Sequence, residues 1–115
     1  MADTQTPLTP AMFHVLLALA DGNKHGYAIL KEVAEQTNGE VQLSTGTLYG
    51  IIKRLLENGY ITEVQHSLKK NEDSRRRYYR LTDAGRQTAV AEAKRLEKLV
   101  IRARSKRLIR SLQST

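Results

Sequence analysis

Apolar residues return every three or four positions along much of this chain, the spacing that puts them on one side of a helix. Met12, Phe13, Leu16, Leu17 and Leu19 predict a first helix that opens at Thr9 or Pro10 and stops at Asp21-Gly22-Asn23. Tyr27, Leu30, Val33 and Ala34 share a face of a second, from about His25 to Thr37, which Asn38-Gly39 ends. A third opens at Ser44, whose hydroxyl can accept a bond from the N–H of residue 46 or 47, and closes at Asn58-Gly59.

The period then falls to two. Tyr60 to His66 and Arg75 to Leu81 read as strands of a hairpin with a charged tip, Ser67 to Ser74. Alternation sends Arg75, Arg77, Tyr79 and Leu81 to one side and Arg76, Tyr78 and Arg80 to the other, with Tyr79 and Leu81 facing the core. Thr82-Asp83-Ala84-Gly85 supplies a capping hydroxyl and an early acid for a long fourth helix reaching about Leu112. The expected class is mainly α with a small β hairpin (α+β). Helix, helix, turn, helix, hairpin is the order of a winged helix-turn-helix. Residues 1–82 would form that unit, and residues 83–115 a dimerisation helix continuous with it.

The third helix carries an oddity. At 100° per residue Leu48, Ile51, Ile52 and Leu55 fall on one side, and Gly46, Gly50, Lys53 and Glu57 on the other. An exposed interior glycine costs about 1 kcal/mol relative to alanine, so a merely solvated face would carry other residues. Small residues suit a surface that another molecule must approach closely. Free N–H groups at the helix start, the hydroxyls of Ser44, Thr45 and Thr47, the phenol of Tyr49 and the cations Lys53 and Arg54 together suit a DNA major groove. The blander reading is that Ser44 and Thr45 only cap, Gly46 is tolerated in a first turn, and Tyr49, at the border of the two faces, packs on a neighbour.

Charge sharpens the picture. The 115 residues carry +7 overall, but residues 75–110 alone hold 13 Lys/Arg against Asp83, Glu92 and Glu97, so that region is +10 and the remainder −3. So uneven a distribution suggests a polyanionic partner. In the hairpin, Lys69, Lys70, Arg75, Arg76 and Arg77, with Tyr78 beside them, could follow a phosphate backbone or enter a narrow minor groove. Cations on edge strands also serve simply to block sheet-to-sheet pairing. His25, at the start of the second helix, could touch phosphate, although such a residue is more often a helix-start hydrogen bonder.

On the fourth helix Ala89, Ala93, Leu96, Val100 and Ala103 recur at four, three, four and three residues, a modest heptad seam. Beyond it the apolar positions shift to Ile101, Leu108, Ile109 and Leu112. A helix of this length outruns a small core, so part of its apolar surface calls for a second copy, with Phe13 of the first helix nearby. A two-fold dimer predicts an inverted-repeat operator with half-sites roughly 10 to 20 base pairs apart. Eight cations from Lys94 to Arg110 could flank the duplex or be solvated.

The stretches His25-Gly26-Tyr27, Leu43 to Tyr49, Arg54-Leu55, Gly59-Tyr60-Ile61 and Arg77 to Gly85, taken together, resemble the PadR family of bacterial transcriptional regulators over about residues 8–104. The resemblance implies a homodimeric repressor that binds operator DNA through its third helix and wing and dimerises through its last helix. It also implies release by a small hydrophobic or phenolic effector, for which Met12, Phe13 and His14, facing Leu96 to Val100 of a partner, are the place to look.

Other classes fit less well. His14, His25 and His66 are scattered over three elements, no carboxylate pair has a motif's spacing and no phosphate-binding glycine loop follows a strand, so neither an enzyme, a metal site nor a cofactor is expected. With no cysteine a reducing compartment is the natural reading. The apolar run Val15 to Ala20 is far below the roughly 20 residues that cross a bilayer, and Met1 to Pro10 lacks the regions of a signal peptide. A cytoplasmic protein without a membrane partner is expected. A winged helix used for RNA or protein docking without operator specificity is the main competitor, since fold does not dictate function. The outward glycines favour duplex DNA, because the major groove of A-form RNA is too narrow for a helix.

Overall fold

A computed structural model describes residues 8–65 and 77–110. The order is α1 (Pro10–Ala18), β1 (Lys24–His25), α2 (Gly26–Gln36), α3 (Thr45–Glu57), β2 (Ile61–Val64), β3 (Tyr78–Leu81) and α4 (Asp83–Ser105). This is the winged-helix arrangement expected from the patterning.

Each helix starts where a side chain can satisfy an N–H that the helix itself cannot. The Thr9 hydroxyl accepts from Met12 N at 3.1 Å, with Pro10 just inside. His25 Nδ1 accepts from Ala28 N at 3.2 Å. Ser44 Oγ accepts from Thr47 N at 3.0 Å, and Thr82 Oγ1 from Gly85 N at 3.0 Å. Thr82 also donates to Gly59 O at 2.6 Å, joining the start of α4 to the end of α3.

The helix ends are equally specific. Left-handed Asn38 and Gly59 (φ 54° and 77°) turn the chain so that Gly39 N reaches Ala34 O and Tyr60 N reaches Leu55 O. The fourth helix departs from expectation. It ends at Ser105 rather than near Leu112, which lies outside the described residues. Arg107 takes the left-handed position (φ 64°) and Leu108 N bonds to Ala103 O at 2.9 Å. The same end motif is therefore built around a non-glycine residue, and no breaker in the sequence marks it.

The sheet has three strands rather than two, in the order β1-β3-β2, all antiparallel. Lys24 and His25 pair with Tyr79 and Tyr78. On the other edge Ile61 pairs with Leu81 and Val64 with Tyr78. The expected hairpin is present with shorter strands; its tip, with Lys69, Lys70, Arg75 and Arg76, lies outside the described residues.

Met12, Val15, Leu16 and Leu19 of the α1 segment meet Ile29 and Val33 of α2, Leu48, Ile51, Ile52 and Leu55 of α3, and Tyr60, Ile61, Tyr79 and Leu81 of the sheet in one core. Each such side chain, fully buried, is worth about 1.5–3 kcal/mol. One placement differs from the reading above. Tyr27 is 67% exposed, and the buried stripe of α2 runs through Ile29 and Val33 instead. The helix α4 lies on α1, where Arg86 Nη2 donates to Ala20 O at 3.1 Å. Gly85 is buried because the Tyr60 carbonyl occupies the space a Cβ would need. No helix among the described residues is long and apolar enough to cross a membrane.

Candidate nucleic-acid interface

The helix α3 turns Leu48, Ile51, Ile52 and Leu55 inward and leaves Ser44, Thr45, Gly46, Thr47, Gly50, Lys53 and Arg54 exposed. A Cβ placed on Gly46 or Gly50 would have nothing within 4 Å, and both φ angles are ordinary helical values. Neither internal packing nor backbone conformation requires glycine at either position. The result is a smooth strip along the outer surface of α3, with hydroxyls at its start and cations at its far end. Ser44 also donates to Thr47 Oγ1 at 2.9 Å, so the two hydroxyls are fixed relative to each other.

Tyr49 borders this strip and is 46% exposed, while the rest of its ring lies over Gly26. Tyr49 therefore packs on a neighbour and still presents part of its surface outward. Gly26 is the glycine that tight packing does require on this side. Its mark in the sequence is a glycine at a helix start, between His25 and Tyr27.

The first turn of α2 and the wing meet at His25. Its imidazole is engaged as the cap, lies nearly parallel to Tyr27 (centroids 6.5 Å apart, 11°), and meets Tyr78 edge-on at 5.2 Å and 88°. Half-buried Tyr78 thus ties strand β3 to the start of α2. The alternation expected of this strand is observed: Tyr79 and Leu81 are buried and Arg80 is exposed. Arg77 is exposed but not idle. It donates through Nη1 to both carboxylate oxygens of Glu63, at 3.0 and 3.2 Å. Patterning alone does not mark Glu63, because the pairing depends on the register of β2 against β3. The Tyr79 hydroxyl is pushed above the ordinary tyrosine pKa, chiefly by burial and then by the neighbouring Tyr49 and Glu63, with Arg77 opposing.

On α4 the expected seam divides. Ala89 leans on the chain's own core, Leu96 and Ala103 are half-buried, and Ala93 and Val100 are exposed; Phe13 of α1 is half-buried. Val90, Leu99 and Ile101 add exposed apolar surface that the heptad reading did not include.

The chain matches the transcriptional regulator PadR-like family over residues 15–91. Among solved structures it is similar to a transcriptional regulator from Clostridium thermocellum, with TM-score 0.68 and 29% identity over 83% of this chain and 86% of that one. It also resembles Bacillus subtilis PadR in complex with operator DNA, with TM-score 0.64 and 23% identity over 76% of this chain and 48% of that one. A curated relative, an uncharacterized 37.1 kDa protein in transposon TN4556 of Streptomyces fradiae, is 38% identical over 89 residues, 77% of this chain. The chain spans 24% of that relative's length and 64% of a second curated relative from Lysinibacillus sphaericus.

Proposed function

The chain belongs to the transcriptional regulator PadR-like family, and from that premise we propose that it is a DNA-binding regulator, a homodimeric repressor that reads an inverted-repeat operator with α3 and its wing. The family is one of regulators rather than enzymes. The observation that carries the reading is the bare outer strip at Gly46 and Gly50, where a Cβ would meet nothing. A double helix can come within backbone distance there, with Ser44, Thr45, Thr47 and Tyr49 at phosphates and base edges and Lys53 and Arg54 at the flanking backbone. The fold that the chain shares with Bacillus subtilis PadR, which was solved in complex with operator DNA, supports a DNA-binding role.

In this reading His25 and Tyr78 brace the wing, while Lys69, Lys70, Arg75, Arg76 and Arg77 supply cations along it. The dimer forms through the apolar surface of α4 around Ala93, Leu96, Val100 and Ala103, with Ala89 and Phe13 at its inner edge. A small hydrophobic or phenolic effector bound between subunits would shift the spacing of the two reading helices.

The test is binding of DNA from upstream of the protein's own gene, by footprinting and fluorescence anisotropy, for the wild type and Gly50→Glu. Gly50→Glu is expected to fold, because its Cβ enters open space, and to lose protection of the site. Retained protection by the folded variant would overturn the assignment of α3 as the reading helix.

A further inference from the structure

The cations of α4 are not spread evenly around it. From Lys94 to Arg110 there are eight, against one acid, Glu97. Arg95 is held by Glu92 at 2.6 Å, but among the described residues no carboxylate pairs with Lys94, Lys98, Arg102 or Lys106. These four recur every four residues, so each lies about 6 Å beyond the last along the axis, in one row that Lys106 continues at the helix end. Like charges at that spacing repel and weaken a helix. A face that was only solvated would interleave them with acids, as Glu92 does for Arg95 on the neighbouring side.

The row is turned away from what α4 packs on. Gly85 is buried, and Ala89, Leu96 and Ala103 are half-buried where the helix lies against α1 and β3, whereas the four cations are all exposed. At 100° per residue the row is also clear of Ala93 and Val100, the line assigned to the second copy. The helix α1 packs against both α3 and α4, and each of those two turns its polar side away from it. The row and the strip at Gly46 and Gly50 are therefore separate surfaces.

We propose that this row binds the phosphate backbone of a second double-stranded DNA segment, without regard to sequence, so that the regulator holds its operator and another duplex at once. The composition of the face decides the occupant. A protein partner would need an apolar centre depleted of charge, whereas here Ala91 and Ser105 lie among the cations and Ile101 only at the edge. Interfaces with duplex DNA are polar and strongly positive, and cations that neutralise phosphates release condensed counterions whatever the bases. The row runs for about 18 Å, a length over which a duplex carries roughly ten phosphate charges. The holding of two segments rests on the operator reading above; the affinity of the row for DNA does not.

The test uses the full chain, with a scrambled-sequence duplex as the probe. In the first arm, fluorescence anisotropy follows the probe in the Gly50→Glu background, where the strip no longer admits a duplex. The probe is expected to bind still, and adding Lys98→Glu and Arg102→Glu to weaken it about tenfold and flatten the log–log salt dependence by about 1.8, for two lost phosphate contacts. Both positions are exposed, so helix content and melting temperature hold, and Lys98→Gln with Arg102→Gln moves affinity the same way. In the second arm, DNA from upstream of the protein's own gene is fixed to beads. Wild-type protein retains the labelled probe on them, while Lys98→Glu with Arg102→Glu alone loses that retention and keeps the footprint on the upstream DNA. Probe binding that survives the loss of both cations, or a row that takes polyglutamate and not the probe, would overturn the row as a DNA site. A footprint lost together with the row would put α4 on the operator duplex and overturn the second segment. Upstream DNA left unbound by the wild type would overturn the operator reading and the holding of two segments, whereas the first arm upholds or overturns the row by itself.

Discussion

Gly26 lies against the phenol end of Tyr49, so close that a methyl group on residue 26 would run into the hydroxyl oxygen and stand 2.9 Å from Cζ. The first residue of α2 and the border of the outer strip on α3 are thereby packed against one another. Tyr49 is 46% exposed, so solvent lies beside it for the ring to yield into.

That relationship predicts the behaviour of Gly26→Ala. The new methyl should cost about 1 kcal/mol of stability by overpacking. It should also swing Tyr49 into the strip and lower DNA affinity. Tyr49→Ala in the same chain should recover the stability term, and urea unfolding of the two singles and the double gives the coupling. Additive effects would show that the ring and the glycine do not press on each other.

Alanine at other glycines should separate packing from approach. At Gly85 a Cβ would run into the Tyr60 carbonyl, which also accepts from Thr82 N at 3.0 Å and has no rotamer to change. Gly85→Ala is therefore expected to lose about 3 kcal/mol. At Gly46 and Gly50 the methyl enters open space, so each change should gain up to about 1 kcal/mol of helix stability. The same two variants should bind DNA more weakly. Stability rising while affinity falls, measured by thermal melts and anisotropy on one preparation, is a combination that a solvated face would not produce.

Glu63 sets how much of Arg77 is left for DNA. The pair is exposed, with side chains 67% and 44% accessible, so it contributes at most about 1 kcal/mol to folding. Glu63→Gln should leave the melting temperature nearly unchanged. It should raise DNA affinity at low salt, and steepen the log–log salt dependence by up to about 0.9 as one more cation meets phosphate. An unchanged slope would place Arg77 off the duplex.

What could be read without coordinates was whatever local chemistry decides. Thr9, Ser44 and Thr82 announced three helix starts because a short hydroxyl side chain there meets an N–H left free in the first turn. Tyr79 and Leu81 announced the buried side of a strand by alternation alone. The outward position of Gly46 and Gly50 followed from 100° per residue. What escaped notice depended on distant parts of the chain or on an unmarked backbone choice. Lys24-His25 is too short a strand to have a period, and its pairing with Tyr78 and Tyr79 is visible only once the sheet exists. The end of α4 is built on Arg107, which looks like any other surface arginine. Tyr27 shared a plausible apolar face with Leu30, yet Ile29 and Val33 fit the core, and the tyrosine was left outside over His25. Within the candidate site, the Glu63–Arg77 pair spans 14 residues and needed the register of β2 against β3.

Tyr79 gives the fold an alkaline limit. Its pKa is raised, first by burial and then by Tyr49 and Glu63, so the folded state holds that proton more tightly than the unfolded chain does. A group of this kind contributes its full stabilisation below the unfolded value, about 10 for tyrosine, and loses it as the pH climbs through the higher folded value. Denaturant midpoints should accordingly fall as the pH passes upward through about 10. Tyr79→Phe keeps the ring in the core and removes the ionisable oxygen, so its midpoint should decline less over that window than the wild type's. Equal declines in the two proteins would assign the alkaline loss to other groups and show that the Tyr79 hydroxyl meets solvent in the folded state.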